Sequence, residues 1–247
     1  MNKRIPSKIL NAVVVEDANI FLKELPEKCV DLILTDPPYG VGLSSWDKEA
    51  PLEWCKHINR VMKDNASLII FCGKQNRFEV ETAIREAGLY FWQELVWIYG
   101  NGGIQRQNSY NGHHEPILWF VKDKDNFYFD IRERKWVDTW TVIDRARPQS
   151  NFKNDKKVHP AQKSLNVIKR LVEYHSREGD VVLDPFMGSG TTAVACKLLK
   201  RNFMGCDISE EYVKIANERL KSSIPIKRLN KIFNYEPEHR EHMLISA

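Results

Sequence analysis

At 247 residues the chain has room for one large α/β domain, or for one domain with an insertion. Its 43% hydrophobic and 28% charged residues are those of an ordinary soluble globule, and no apolar run approaches the ~18 residues that a transmembrane helix needs. A net charge of +4 is too modest to name a partner, and the basic start "MNKRIPSKIL" lacks the apolar stretch of a signal peptide.

In chain order, "NAVVVED" (11–17) predicts a first strand and "NIFLKELPE" (19–27) a short helix. A second strand follows in "VDLILTD" (30–36), and "PLEWCKHINRVMK" (51–63) opens a helix on a proline, with Trp54, Ile58, Val61 and Met62 at helical spacing. "SLIIFCG" (67–73) predicts a strand and "NRFEVETAIREAG" (76–88) a helix ended by Gly88. "YFWQELVWIYG" (90–100) and "EPILWFVK" (115–122) read as aromatic strands of a hairpin around a loop rich in Gly and Asn. Residues 123–157 are polar, basic and aromatic with weak periodicity, which predicts an insertion outside the main sheet. Order returns with the helix "AQKSLNVIKRLVEYHS" (161–176), whose Leu165, Ile168, Val172 and His175 share a face. The strand "DVVLDPF" (180–186), the helix "TTAVACKLLK" (191–200), the strand "NFMGCD" (202–207) and the helix "SEEYVKIANERLK" (209–221, with Ser209 as N-cap) complete the pattern. Such alternation predicts an α/β fold, a mostly parallel sheet with helices on both faces.

The five cysteines are scattered and never form a C-x-x-C pair, so they read as reduced core thiols of a cytoplasmic protein. Basic residues gather in 145–163, six Lys/Arg against one Asp, and in 221–235, four Lys/Arg with no acid. Such clusters suit phosphate contacts, or simply a solvated loop and a tail.

Two strand tips carry chemistry. "LILTDPPYG" (32–40) ends an apolar strand on Asp36, at the end of the sheet where open α/β folds place ligands. Pro37 and Pro38 stiffen the turn, and the Pro37 carbonyl and Asp36 make a rigid acceptor pair beside the flat ring of Tyr39. That suits a planar group bearing an NH2. "VVLDPFMGSGTTA" (181–193) is a strand, a glycine turn and a helix start, and Gly188 to Ala193 fit G-x-G-x-x-A, with Asp207 ending the next strand. That fingerprint also describes a nicotinamide dinucleotide site, and Asp207 would hold ribose hydroxyls in either case. Asp184 ahead of the glycines repels a pyrophosphate but attracts an ammonium and a sulfonium, the charges of S-adenosyl-L-methionine. Asp184 can equally be read as a cap of the turn.

With "DPPY" (36–39) and "DPFMGSG" (184–190) in this order, the chain resembles the amino-methyltransferases of DNA exocyclic amines, in their circularly permuted β group. The resemblance spans roughly residues 11–220 and includes "VHPAQKS" (158–164), where Ser164 replaces the family's usual proline. It implies a Rossmann-like S-adenosylmethionine-dependent methyltransferase, one catalytic domain over 1–247, with a target-recognition insertion at 123–157 and a basic tail at 221–247. Carried over by position, Asp36, Pro37, Pro38 and Tyr39 form the base pocket. Asp184, Phe186, Gly188, Gly190, Thr191 and Thr192 line the methionine end of the cofactor, with His159, Pro160 and Lys163. Asp207 binds the ribose, and Asp17 and Ala18 sit by the adenine. Within the insertion, Arg145 or Arg147 is expected to read a guanine, and Lys153, Lys156 and Lys157 to contact phosphate.

The implied reaction is methylation of adenine N6 in a flipped-out nucleotide of double-stranded DNA, Asp36 favouring adenine because the family's cytosine-N4 enzymes more often carry Ser there. A homodimer and a companion restriction endonuclease are compatible partners; a membrane is not expected. The other readings are cytosine N4, RNA or protein-glutamine methylation, a nucleic-acid-binding module, and an NAD-dependent oxidoreductase in which "DPPY" has no role. His113, His114 and Glu115 are the nearest thing to a metal set, but adjacent histidines point apart on a strand, and no metal is expected.

Overall fold

The apolar run Val30–Thr35 (β2) lies at the middle of the sheet, buried on both sides as continuous runs of this kind require. The structure is a computed structural model that describes residues 4–40, 50–98, 114–130, 142–143 and 163–222. Ahead of β2 come β1 (Ala12–Val15) and α1 (Ala18–Glu24); after it come α2 (Cys55–Val61), β3 (Met62–Phe71), α3 (Arg77–Glu86) and β4 (Tyr90–Ile98). Then follow β5 (His114–Val121), β6 (Val142–Ile143), α4 (Leu165–His175), β7 (Val181–Asp184), α5 (Thr191–Leu198), β8 (Asn202–Asp207) and α6 (Glu210–Ser222). The described strands form one sheet in the order β1-β8-β7-β2-β3-β5-β4-β6, in which β5 runs antiparallel to both its neighbours. The other pairings are parallel.

Alternation along the strands builds two cores. Leu32, Leu34, Ile69, Phe71, Ile117 and Trp119 face α4, α5 and α6, whereas Ile33, Leu68, Ile70, Leu118 and Phe120 face α1, α2 and α3. The four α4 residues expected on one face are all buried. Ser209 caps α6 as expected, its hydroxyl accepting from the Tyr212 N–H at 3.3 Å. All five cysteines are buried and free; burial pushes Cys29 up to about 11 and Cys55 and Cys72 up to about 12, so these thiols stay protonated at neutral pH. Among the described residues no helix is long and apolar enough to cross a membrane.

Two sequence expectations are corrected. The helix expected to reach residue 63 stops at Val61, because Met62 pairs with Val30 and Lys63 bonds both oxygens of Asp31 at 2.8 Å, drawing the chain into β3. Within the segment expected to stand outside the main sheet, residues 123–130 and 142–143 join the body, and its other residues lie outside the described ones. Phe127 and Phe129 pack on Trp119 at 5.5 and 5.0 Å, the Asp130 N–H donates to the Tyr174 carbonyl, and β6 joins the sheet beside β4. Aromatic side chains inside a polar stretch were its anchors to the core.

Candidate active site

Four adjacent strands, β1, β8, β7 and β2, each end on or just before an aspartate: Asp17, Asp207, Asp184 and Asp36. Their register (Val15 beside Asp207, Asp184 beside Gly205, Ile33 beside Leu183) sets these acids along one edge of the sheet. The chain leaves β7 toward β8 and β2 toward β3, in opposite directions, so the edge between β7 and β2 is a topological switch point. A cavity of about 560 Å³ opens there, within the range of small-ligand sites. Its wall joins both predicted groups: Asp36, Pro37, Pro38, Tyr39 and Lys163 with Asp17, Ala18, Asp184, Phe186, Gly188, Thr191, Thr192 and Asp207.

At the glycine-turn end, neutral donors hold the acids. Asp207 accepts the Gly188 and Ser209 N–H groups, both at 2.9 Å, and burial still raises its pKa against those bonds. Asp17 caps α1, accepting from the Asn19 and Ile20 N–H groups. Asp184 is buried, with its oxygens taken by the Thr35 hydroxyl (2.8 Å), the Thr192 hydroxyl (2.7 Å) and the Phe186 N–H (3.1 Å); burial pushes its pKa up to about 7. From α6, Arg219 reaches under the turn and donates to the Ser189 carbonyl and hydroxyl.

The Asp36 end is built from charges. Tyr39 donates its hydroxyl to Asp36 Oδ1 at 2.7 Å or to Glu115, and Lys163 Nζ lies 3.0 Å from Asp36 Oδ2 and 2.6 Å from Glu115 Oε1. The Lys163 ammonium also stands over the Tyr39 and Phe71 rings, 5.2 Å from each centroid. Burial pushes Asp36 up to about 6; Lys163 opposes that shift and Glu115 reinforces it. Burial works against the Lys163 charge, but Asp36 and Glu115 outweigh it and raise the lysine above its usual value. The turn is pinned from behind, where Asn76 Nδ2 donates to the Tyr39 carbonyl at 3.1 Å. Gly73 lies so close that a Cβ there would meet Asn76 Oδ1 at 3.0 Å and Tyr39 Cβ at 3.2 Å.

Some predicted residues sit elsewhere than expected. Lys163, grouped with the cofactor residues, places its ammonium at the Asp36 end. Gly190 is not in the cavity wall; at φ +83° it lets α5 approach α6, and a Cβ would fall 2.7 Å from that of Ala216. His159, Pro160, Arg145, Arg147, Lys153, Lys156 and Lys157 lie outside the described residues. The sequence passes over Thr35 and Arg219, and weighs Glu115 only as a metal ligand beside His113 and His114. The signal for Glu115 was an acid heading the apolar run "EPILWFV", the mirror of "LILTD" once the strand runs antiparallel.

Such a sheet, with acids at the tips of β1, β8, β7 and β2 and a glycine turn on a shared cavity, defines a Rossmann-like fold whose cavity suits a cationic ligand. The cavity wall carries five acids (Asp17, Asp36, Asp184, Asp207, Glu211) against one lysine, which fits a sulfonium-bearing donor and opposes a pyrophosphate. The comparisons agree. A family model described as DNA methylase, of the N6/N4 methyltransferases, matches residues 30–218. The type II methyltransferase M.HpaI of Haemophilus parainfluenzae is 33% identical over 224 residues, covering 81% of this chain and 71% of that protein. The DNA adenine methyltransferase YhdJ of Escherichia coli (strain K12) is 30% identical over 241 residues, covering 84% and 82%. The crystal structure of the M1.HpyAVI-SAM complex superposes with a TM-score of 0.67 at 30% identity, covering 84% of this chain and 98% of that one. The chain belongs to the N6/N4 DNA methylase family. It is a DNA methyltransferase, and S-adenosylmethionine is its methyl donor.

Proposed function

We propose that the chain methylates the exocyclic N6 amine of adenine in double-stranded DNA, with the target nucleotide turned out of the helix into the Asp36 end of the cavity. The observation that carries this reading is the continuity of the cavity, which puts the Asp36–Tyr39 turn and the glycine turn on one wall. S-adenosylmethionine, when bound, supplies an electrophilic methyl group on a positively charged sulfur. Asp207 and Asp17 hold its ribose and adenine side, and the turn at 184–192 takes the methionine side. An exocyclic amine is a poor nucleophile because its lone pair is delocalised into the ring. Asp36 and the Pro37 carbonyl each accept one of its N–H groups, which draws the nitrogen toward tetrahedral geometry and aims its lone pair into the cavity. Tyr39 stacks on the base. Placement and charge supply most of the acceleration.

Adenine is favoured over cytosine because a carboxylate makes the stronger charge-assisted bond to an amine, and because a relative 30% identical along most of its length is named an adenine enzyme. Residues 123–157 are proposed as the target-recognition region, with Arg145 or Arg147 at a guanine and Lys153, Lys156 and Lys157 at phosphates. A cytoplasmic site of action, a homodimer and a companion endonuclease accord with this reading. Digestion of DNA from cells expressing the protein, followed by nucleoside mass spectrometry, should yield N6-methyladenine. N4-methylcytosine without N6-methyladenine would overturn the base assignment.

A further inference from the structure

Two groups now bonded to Asp36 each have a second acceptor in Glu115. Lys163 Nζ is 3.0 Å from Asp36 but 2.6 Å from Glu115, and the single Tyr39 hydroxyl proton serves either carboxylate. Asp36, Tyr39 and Lys163 line the cavity, whereas Glu115 stands behind them and is not in its wall. The cluster is well shielded, with Lys163 and Glu115 side chains only 10% and 15% exposed. With both acids ionised, one ammonium faces two carboxylates, and the site keeps one negative charge.

We propose that Glu115 is a positioning residue for methyl transfer, receiving Lys163 and the Tyr39 hydroxyl when the target amine takes their places on Asp36. This rests on the reading of Asp36 as the amine's acceptor. Without Glu115, Lys163 displaced from Asp36 by an entering N–H group would keep only the Tyr39 hydroxyl, 3.1 Å away, as an acceptor, and its buried charge would stay unpaired. The exchange also leaves the Asp36 charge unneutralised. As the nitrogen–methyl bond forms and the methyl–sulfur bond breaks, the sulfur becomes neutral and the amine nitrogen gains positive charge; that charge meets a carboxylate with no competing cation until one N–H proton leaves to Asp36 or to solvent. A lone Lys163–Asp36 pair would cancel the attraction where it is needed.

The test is Glu115→Gln, which keeps the shape but removes the charge. Turnover should fall by about 10-fold or more, the scale of a lost transition-state interaction, while cofactor affinity by calorimetry stays within about two-fold of the parent's. The charged groups facing Asp36 are Lys163 ahead of α4, Glu115 on β5, Tyr39 after β2 and Asp184 on β7. Losing Glu115 removes one like charge and leaves Lys163 to Asp36, so the acid limb of the rate profile should move to lower pH. A purely structural loss would lower the rate without moving that limb.

Adding Lys163→Met to Glu115→Gln should then raise turnover at mildly alkaline pH, because Asp36 is freed again; this is a non-additive cycle. Should Glu115→Gln fail to fold, Lys163→Met is compared with the double variant. Two carboxylates left without their lysine should push the acid limb up, and removing Glu115 should bring it down. Parent-like turnover and pH profile in Glu115→Gln, or no change on adding either second substitution, would overturn the proposal. Normal turnover of Asp36→Ala would instead overturn the pocket reading on which it stands.

Discussion

The two ends of the cavity hold their carboxylates by different means. Around the glycine turn, Asp17, Asp184 and Asp207 are fixed by backbone N–H groups and threonine hydroxyls, which orient each acid without bringing a counter-charge. Around Asp36 the partners are an ammonium and a tyrosine hydroxyl, both shared with a second acid. The neutral donors of the glycine-turn end sit on β2, on the first turns of α1 and α5, and on the turns beside them, so they belong to the scaffold. In the charged cluster, Lys163 and the Tyr39 hydroxyl each lie within bonding distance of two carboxylates. One end is built to hold a shape, the other to exchange partners.

The contrast breaks most visibly at Asp184. Asp184→Ala leaves two threonine hydroxyls and the Phe186 N–H without their acceptor, and should cost about 3 kcal/mol of stability in urea unfolding. Asp184→Asn sharpens the point through pH. The folded chain keeps a proton on Asp184 up to about 7, whereas an unfolded aspartate releases it near 3.8. The folded state therefore binds more protons between those values, and the stability contributed by this group is lost as pH rises through them. Asparagine imitates the protonated acid, so its stability relative to the parent should climb by roughly 1–3 kcal/mol across that window. Flat relative stability from acid to neutral pH would contradict the account of Asp184.

A smaller loss is expected from Gly190→Ala, about 2 kcal/mol in the same unfolding assay, from the positive φ and the overlap with Ala216. It should reduce stability far more than it alters the pH profile of turnover, because Gly190 joins two helices and does not line the cavity.

Much of this was legible in the chain. The apolar runs ending in "LTD" and "VLD" located two strand tips and their acids, because a parallel strand delivers its last residues to the ligand edge. The same logic hid Glu115: β5 runs the other way, as its hairpin pairing implies, so its first residues rather than its last reach that edge. Lys163 was grouped with the cofactor because its sequence neighbours are, yet a long side chain ahead of α4 reaches across to Asp36. Gly190 looked like a ligand residue because fingerprint glycines serve both ligand approach and helix packing. The α2 boundary was lost to tertiary pairing of Met62 with Val30, which no helical period reveals.

In the proposed mechanism one cavity divides its work, with the cofactor held at the glycine-turn end and the amine at the Asp36 end. Cofactor calorimetry on Asp36→Ala, run beside a methyl-transfer assay on the same preparation, tests it most directly. The account predicts cofactor affinity within about two-fold of the parent's while transfer falls by roughly 100-fold or more, as when a transition-state hydrogen bond is lost. Loss of cofactor binding in step with transfer, or transfer at the parent's rate, would contradict it.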